Sequence, residues 1–152
     1  MELAAEQARK SQCQKAHCGA VIIKDGEAIG QGFNSPAGNE PARCKDTHTI
    51  PENNKHDITC CMHAEVRAIH DAQKNQPEKL VGASIYFMRT DDEGKQTFAG
   101  VPYCTICSKE ALDAGLSEFV LWHKDGITVY NTKEYNDLSY QYFKDSNLWA
   151  LK

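Results

Sequence analysis

The sequence predicts an α/β protein, a three-layer α/β/α sandwich in which helices pack on both sides of a mixed central sheet. Three observations lead to this prediction. After an N-terminal helical segment, short β-branched segments and helix-forming segments follow in the order β-β-α-β-α-β-α, which is typical of layered α/β folds. An Asp-Gly pair joins the first two strands as a hairpin. A helix separates the third and fourth strands, so their connection is long enough for a parallel arrangement.

The N-terminal part of the chain supplies the first helix and the hairpin. Residues 2–11 are rich in Ala, Glu, Gln, Arg and Lys, which are good helix formers. Residues 19–24 and 28–33 are predicted as strands on either side of the turn at Asp25-Gly26. The polar stretch 34–59 is longer than an ordinary connection, and loops of this length usually have a function or are tied down.

The rest of the chain continues the alternation of helices and strands. One face of the next predicted helix carries Met62, Val66, Ile69 and Gln73, and Pro77 ends that region. The remaining elements are a buried strand over 83–89, a polar loop over 91–100, a helix over 105–114 capped by Gly115, a strand over 117–122, a turn at 125–126 and a closing helix over 134–145.

Length and composition are those of a globular protein. The 152 residues are 41% hydrophobic and 25% charged, which fits one compact domain over residues 1–152. The longest aliphatic stretch, residues 20–23, is far too short to cross a bilayer, and no secretory signal opens the chain. We therefore expect a cytoplasmic protein that does not bind membranes.

Cysteine content and charge limit the kind of function. Seven cysteines are an odd number, and a reducing cytosol disfavours disulfides, so metal binding or catalysis is the better interpretation. The net charge of −4 argues against a protein that binds the phosphate backbone of a nucleic acid. The composition therefore favours a small-molecule substrate.

Two short motifs carry metal-binding residues. His63-Ala64-Glu65 and Cys104-Thr105-Ile106-Cys107 each stand at the start of a predicted helix. Cysteines three residues apart lie on one face of a helical turn, and a helix N-terminus favours their thiolate forms. With the imidazole of His63 they offer zinc one nitrogen and two sulfur ligands. Such a set leaves the fourth tetrahedral position open, as in catalytic zinc sites, where bound water becomes a nucleophile at neutral pH.

Glu65 is predicted to carry protons beside this metal. It stands two positions after His63, and in the first turn of a helix both side chains can point to a ligand beyond the helix end. A carboxylate there can take a proton from the attacking water, pass it to a ring nitrogen and protonate a departing amine. The motifs therefore predict hydrolysis with loss of ammonia.

This pair of motifs resembles the H-x-E and C-x-x-C signature of the cytidine and deoxycytidylate deaminase superfamily. Two parts of the chain are most similar to the deoxycytidylate branch. One is the segment 19–23 followed by Gly32-Phe33-Asn34-Ser35-Pro36-Ala37-Gly38, and the other is the segment 111–116. The resemblance implies a cytidine-deaminase-like fold and hydrolytic deamination of a cytosine nucleotide or nucleoside, with dCMP converted to dUMP as the leading reaction. It also implies that Asn34 and Ala64 contact the substrate, and that the chain is an oligomer, at least a dimer.

Three features depart from the family pattern. Tyr103 stands between Pro102 and Cys104, whereas the family proline directly precedes the first cysteine. Arg67 occupies a position where the deoxycytidylate branch usually has asparagine. Residues 91–100 form an insertion, which we interpret as a lid or specificity loop. The exact substrate, including its phosphate, is therefore left open by the sequence.

A second zinc is a further hypothesis, because potential ligands surround the long polar loop. Some members of the deoxycytidylate branch are similar in holding a structural zinc in this region, and a metal would offset the entropy lost in ordering the loop. The alternative is a set of buried free cysteines with exposed histidines. The candidate ligands are Cys13, Cys44, His48, His56 and Cys60.

Three other interpretations remain. Cys60 or Cys61 would close the first zinc site and make it structural, although such a site has no use for Glu65. A second alternative is that the substrate is another base, either guanine or an adenosine or cytosine within RNA or DNA. A third alternative is that the chain is a zinc-stabilised binding module that has lost its catalytic activity.

Overall fold

The structure is a computed structural model, and it describes residues 1–44 and 59–145. His48 and His56, two of the candidate ligands for a second zinc, lie outside the described residues. Within residues 1–44 and 59–145, the four α-helices are α1 (Glu2–Ala8), α2 (Ala64–Asn75), α3 (Thr105–Asp113) and α4 (Thr132–Asp145). The strands are β1 (His17–Lys24), β2 (Glu27–Phe33), β3 (Ser35–Pro36), β4 (Cys61–Met62), β5 (Ser84–Thr90), β6 (Gln96–Thr97), β7 (Glu118–His123) and β8 (Gly126–Asn131).

The main sheet is mixed, as predicted. Its order is β2-β1-β5-β7-β8, and the short strand β6 also pairs with β5. β5 and β7 are parallel, and they are the two strands for which a helical crossover predicted this arrangement. The remaining pairs in the sheet are antiparallel. β3 and β4 form a separate two-stranded sheet just before α2.

Helices cover both faces of the main sheet, which confirms the layered architecture. On one face, Ala4 and Ala5 of α1 pack against Val21 and Met88. The opposite face carries the larger core, built from the alternate residues of the same strands and from the apolar sides of α2 and α3. Its most buried members include Ala20, Ile22, Ala64, Ala68, Ile69, Ile85, Ala111 and Phe119.

Gly32 sets the distance between α2 and the sheet. A Cβ atom at this position would collide with the carbonyl oxygen of Ala64 and the backbone nitrogen of Ala68. Only glycine lets the two backbones approach so closely. The first turn of α2, which carries Glu65, is therefore pressed directly onto β2.

The boundaries of several elements differ from the prediction. Met62 lies in β4, and α2 begins only at Ala64, because His63 is extended and forms the N-cap. β8 was not predicted, because its exposed and half-buried residues alternate at the edge of the sheet and give a weak apolar signal. β6 lies within the segment 91–100, which was predicted as a loop. Within the described residues, no helix combines the length and the apolar character that a membrane span requires.

Candidate active site

The starts of α2 and α3 meet on one side of the sheet. His63 is the N-cap of α2 and Cys104 is the N-cap of α3, where its sulfur accepts a hydrogen bond from the backbone N–H of Cys107. The Nδ1 atom of His63 lies 3.1 Å from the sulfur of Cys107 and 3.3 Å from that of Cys104. The two sulfurs are 3.1 Å apart. One imidazole nitrogen and two sulfurs thus converge on a single point, and this donor set suits zinc.

The three side chains alter one another's pKa values. Hydrogen bonds with Cys107 and with His63 together lower the pKa of Cys104 to about 4. The same contact with Cys104 raises the pKa of His63 to about 9, while burial raises the pKa of Cys107. Metal binding would displace the protons of these side chains, because zinc takes thiolates and neutral imidazoles as ligands.

Glu65 lies in the first turn of α2, next to this cluster. Its side chain is buried, with 6% of the residue exposed. Burial raises the pKa of the carboxyl group, and the charge of His63 partly offsets this effect. A carboxyl group that is costly to ionise in the folded chain can accept and release a proton at moderate pH, as a general acid or base must.

A cavity of about 280 Å³ opens onto these residues. Ligand pockets in proteins measure roughly 300–1,000 Å³, so this one suits a single small molecule. The cavity is lined by His63, Cys104 and Glu65. It is also lined by the predicted substrate contacts Asn34 and Ala64. Residues of both motifs and the candidate substrate residues therefore border the same cavity.

A family model confirms what this geometry indicates. Residues 1–123 match the model described as the cytidine and deoxycytidylate deaminase zinc-binding region. The chain belongs to this deaminase family. It is therefore a zinc-binding deaminase, of the class of hydrolases that act on C–N bonds.

Solved structures of deaminases share the fold at low sequence identity. The apo dCMP deaminase of cyanophage S-TIM5 is 21% identical, over 78% of this chain and 75% of its own, with a TM-score of 0.53. Its complex with dCMP and dUMP is 20% identical over 78% and 74%, with a TM-score of 0.50. A cytidine deaminase from Burkholderia pseudomallei is 17% identical over 88% and 91%, with a TM-score of 0.57. No curated protein sequence is significantly similar to this deaminase.

Asn34 has a structural task in this deaminase besides lining the cavity. Its Oδ1 atom accepts hydrogen bonds from the backbone N–H of Cys18 at 2.8 Å and from the hydroxyl of Ser11 at 2.6 Å. Its Nδ2 atom donates to the carbonyl oxygen of Ala16 at 2.7 Å. The amide thus ties the segment around the start of β1 to the end of β2.

A second group of cysteines forms part of the cavity wall. The sulfurs of Cys13, Cys44 and Cys61 lie within 4.8 Å of one another. The sulfur of Cys60 is 3.5 Å from that of Cys44 and 3.7 Å from that of Cys61. The structure therefore brings together three of the predicted ligands and adds Cys61, which the sequence did not assign to this group. Neither Cys60 nor Cys61 joins the His63 cluster, so among the described residues nothing closes the first site.

Two of the departures from the family pattern have clear positions. Arg67 lies outside the cavity lining and donates hydrogen bonds to the carbonyl oxygens of Ser35 and Pro36, at 3.3 and 2.9 Å. It therefore holds the short β3 segment against α2. Within the insertion, the backbone N–H of Ala99 donates a hydrogen bond to the carbonyl oxygen of Trp122, and both Ala99 and Gly100 line the cavity.

Several cavity residues were not found from the sequence. Phe87 and Arg89 continue the face of β5 that carries Ile85, and period-2 alternation could have placed them on one side of the sheet. Lys15 lies before β1, and Tyr135 comes from α4. No local motif points to either of these two residues, because only the tertiary structure brings their segments to the site.

Proposed function

We propose that this chain catalyses the zinc-dependent hydrolytic deamination of a cytosine nucleotide or nucleoside, with conversion of dCMP to dUMP and ammonia as the leading reaction. The observation that carries the proposal is the buried Glu65 carboxyl beside the convergent donor atoms of His63, Cys104 and Cys107, in the wall of one small cavity.

In this proposal His63, Cys104 and Cys107 hold one zinc ion. When bound, zinc supplies Lewis acidity, which makes water a competent nucleophile at neutral pH. Glu65 removes a proton from the attacking water and delivers it to the ring nitrogen next to the amino-bearing carbon. The remaining water proton reaches the amino group through the same carboxyl, and the C–N bond breaks. The water oxygen becomes the uracil carbonyl, and ammonia leaves.

The charges in the cavity support a substrate with a phosphate group. Arg89 and Lys15 both line it. Among the ion pairs of the described residues, none joins Arg89 to a carboxylate, so its guanidinium has charge to offer a ligand. Guanidinium groups bind phosphate oxygens in a bidentate manner. The dCMP and dUMP complex of the similar cyanophage enzyme agrees with this choice.

The cavity and the net charge favour a free nucleotide over a polynucleotide. A chain of −4 net charge gains little from phosphate-backbone contacts, and the cavity has room for one small molecule. We expect the enzyme to act in the cytosol as at least a dimer.

We also propose that a second zinc is bound by the cysteine group of the cavity wall. Cys13, Cys44, Cys60 and Cys61 would give four sulfur ligands, and closed tetrahedral sites of this type are structural. Such a metal would fix the segment 11–18 and the end of the long loop, both of which border the substrate cavity. The hypothesis is independent of the catalytic zinc.

A screen of ammonia release tests the function. Cytidine, deoxycytidine, CMP, dCMP, dCTP, guanine and adenosine are offered to the zinc-loaded enzyme. Turnover of dCMP well above that of the unphosphorylated nucleosides supports the proposal. Turnover of guanine or adenosine alone assigns the chain to another base, and zinc binding without any turnover identifies a binding module.

A further inference from the structure

Tyr135 on α4 reaches the same cavity as the catalytic motifs. The residue is 4% exposed, yet it forms part of the wall together with His63 and Glu65. The family signature contains no residue from this helix, and the family match ends at residue 123, before α4 begins. Any role of Tyr135 at the site is therefore a property of this chain's own C-terminal helix.

The ring of Tyr135 is held by two aromatic contacts. It stacks on Phe119, with ring centroids 3.9 Å apart and an interplanar angle of 8°. The edge-to-face contact with Tyr130 has a centroid distance of 5.7 Å and an angle of 77°. Both contacts use the hydrocarbon part of the ring, and phenylalanine would make them equally well. They fix the direction of the hydroxyl group without involving it.

The hydroxyl group itself makes no hydrogen bond within the part of the chain that the structure describes. Buried hydroxyls in proteins nearly always have a partner, so one that borders a cavity is suited to a ligand. Burial raises the pKa of Tyr135, and the charges of Glu65 and the two metal-ligand cysteines raise it further. Burial and these neighbouring charges all favour the protonated form of the phenol.

We propose that Tyr135 is a substrate-binding residue whose hydroxyl donates a hydrogen bond to the ring carbonyl of the bound base. This inference rests on the proposed function. Glu65 exchanges protons with the ring nitrogen and the amine. The ring carbonyl oxygen is the remaining hydrogen-bond acceptor on the same edge of cytosine, and it needs a donor from the protein. A neutral phenol supplies the donor without adding charge beside the metal ligands.

The substitution Tyr135→Phe removes only the hydroxyl group. We expect kcat/KM for the deaminated substrate to fall by about 3- to 30-fold, the loss typical of one hydrogen bond to a substrate. Zinc content and the unfolding temperature should stay at wild-type values, because the stack on Phe119 is kept. The matched control is Tyr130→Phe, whose hydroxyl lies 2.9 Å from Nε2 of His123 and is not part of the cavity wall.

A substrate analogue separates binding from structure. In the analogue, sulfur replaces the oxygen of the ring carbonyl of the cytosine nucleotide, so that the ring stays neutral and the hydrogen-bond acceptor becomes weak. Wild-type enzyme should prefer the natural substrate, and Tyr135→Phe should lose that preference while handling the analogue as well as wild type does. Equal kcat/KM of variant and wild type, an equal loss on both substrates, or loss of zinc would each overturn the inference.

Failure of the proposed function is recognised separately. If the wild-type enzyme releases no ammonia from any substrate, binding of dUMP is measured by titration calorimetry. Weaker binding to Tyr135→Phe than to wild type then supports the role of the hydroxyl. Equal affinity, or no binding to either protein, overturns it.

Discussion

The Nδ1 atom of His63 lies 3.1 Å from the sulfur of Cys107, although 44 positions separate the two residues along the chain. This contact exists because α2 and α3 pack on the same face of the sheet and begin at the same edge. Each helix start leaves its first backbone N–H groups and its capping side chain directed beyond the helix end. The side chains of His63, Cys104, Cys107 and Glu65 are consequently held by rigid elements.

Glu65→Gln should separate metal binding from catalysis. The amide keeps the size of the side chain but accepts no proton, so kcat should fall by about 100-fold or more while zinc content stays unchanged. Ammonia release and elemental analysis measure the two quantities. Glu110→Gln, on the exposed side of α3, is the control and should behave as wild type. Near-normal turnover by Glu65→Gln would rule out a proton-carrying role.

Cys107→Ser should abolish the catalytic zinc, because a neutral hydroxyl is a poor replacement for a thiolate ligand. We expect the loss of one zinc per chain together with nearly all activity. Cys18→Ser is a matched control, since Cys18 also lines the cavity but lies outside the His63 cluster. Retention of full zinc content by Cys107→Ser would contradict the ligand assignment.

Cys13→Ser tests the second metal separately. Cys13 is buried in the cysteine group of the cavity wall. If this group binds zinc, the wild-type enzyme holds two ions per chain, and the variant should hold one and unfold at a lower temperature. Elemental analysis measures the zinc content of both proteins, and thermal unfolding measures their unfolding temperatures. A wild-type content of one zinc per chain would remove the second site.

Arg89→Met should weaken the binding of phosphorylated substrates. Loss of a charge-assisted hydrogen bond costs about 1.5–3 kcal/mol, which corresponds to a rise in KM for dCMP of roughly 10- to 150-fold. The KM for deoxycytidine should change little. Arg9→Met is the control, because Arg9 pairs with Glu2 on the exposed side of α1. A similar rise in KM for both substrates would show that Arg89 does not recognise phosphate.

Gly32→Ala should destabilise the fold by forcing α2 away from β2. Overpacking of this kind typically costs about 1–3 kcal/mol in the free energy of unfolding. Gly100→Ala is the control, since a Cβ atom there would meet nothing within 4 Å. Denaturant unfolding of both variants measures the difference, and equal stability would mean that α2 can shift without cost.

The sequence by itself determined the features that depend on short-range spacing. His63 with Glu65, and Cys104 with Cys107, are close in the chain and stand at helix starts, so their chemistry could be inferred from two motifs. The alternation of strands and helices likewise determined the layers and the parallel pair of β5 and β7. The fold predictions succeeded because helical geometry and the alternating sides of a strand are local properties.

Only the tertiary structure decided which distant side chains complete the site. It grouped Cys61 with Cys13 and Cys44, engaged the Asn34 amide with Ser11 and Cys18, and brought Tyr135 from α4 to the cavity wall. Strand register and helix packing across long stretches of chain set these contacts, and no pattern within a few residues encodes them. Local spacing therefore determined the chemistry of the site, while packing determined the surroundings that select a substrate.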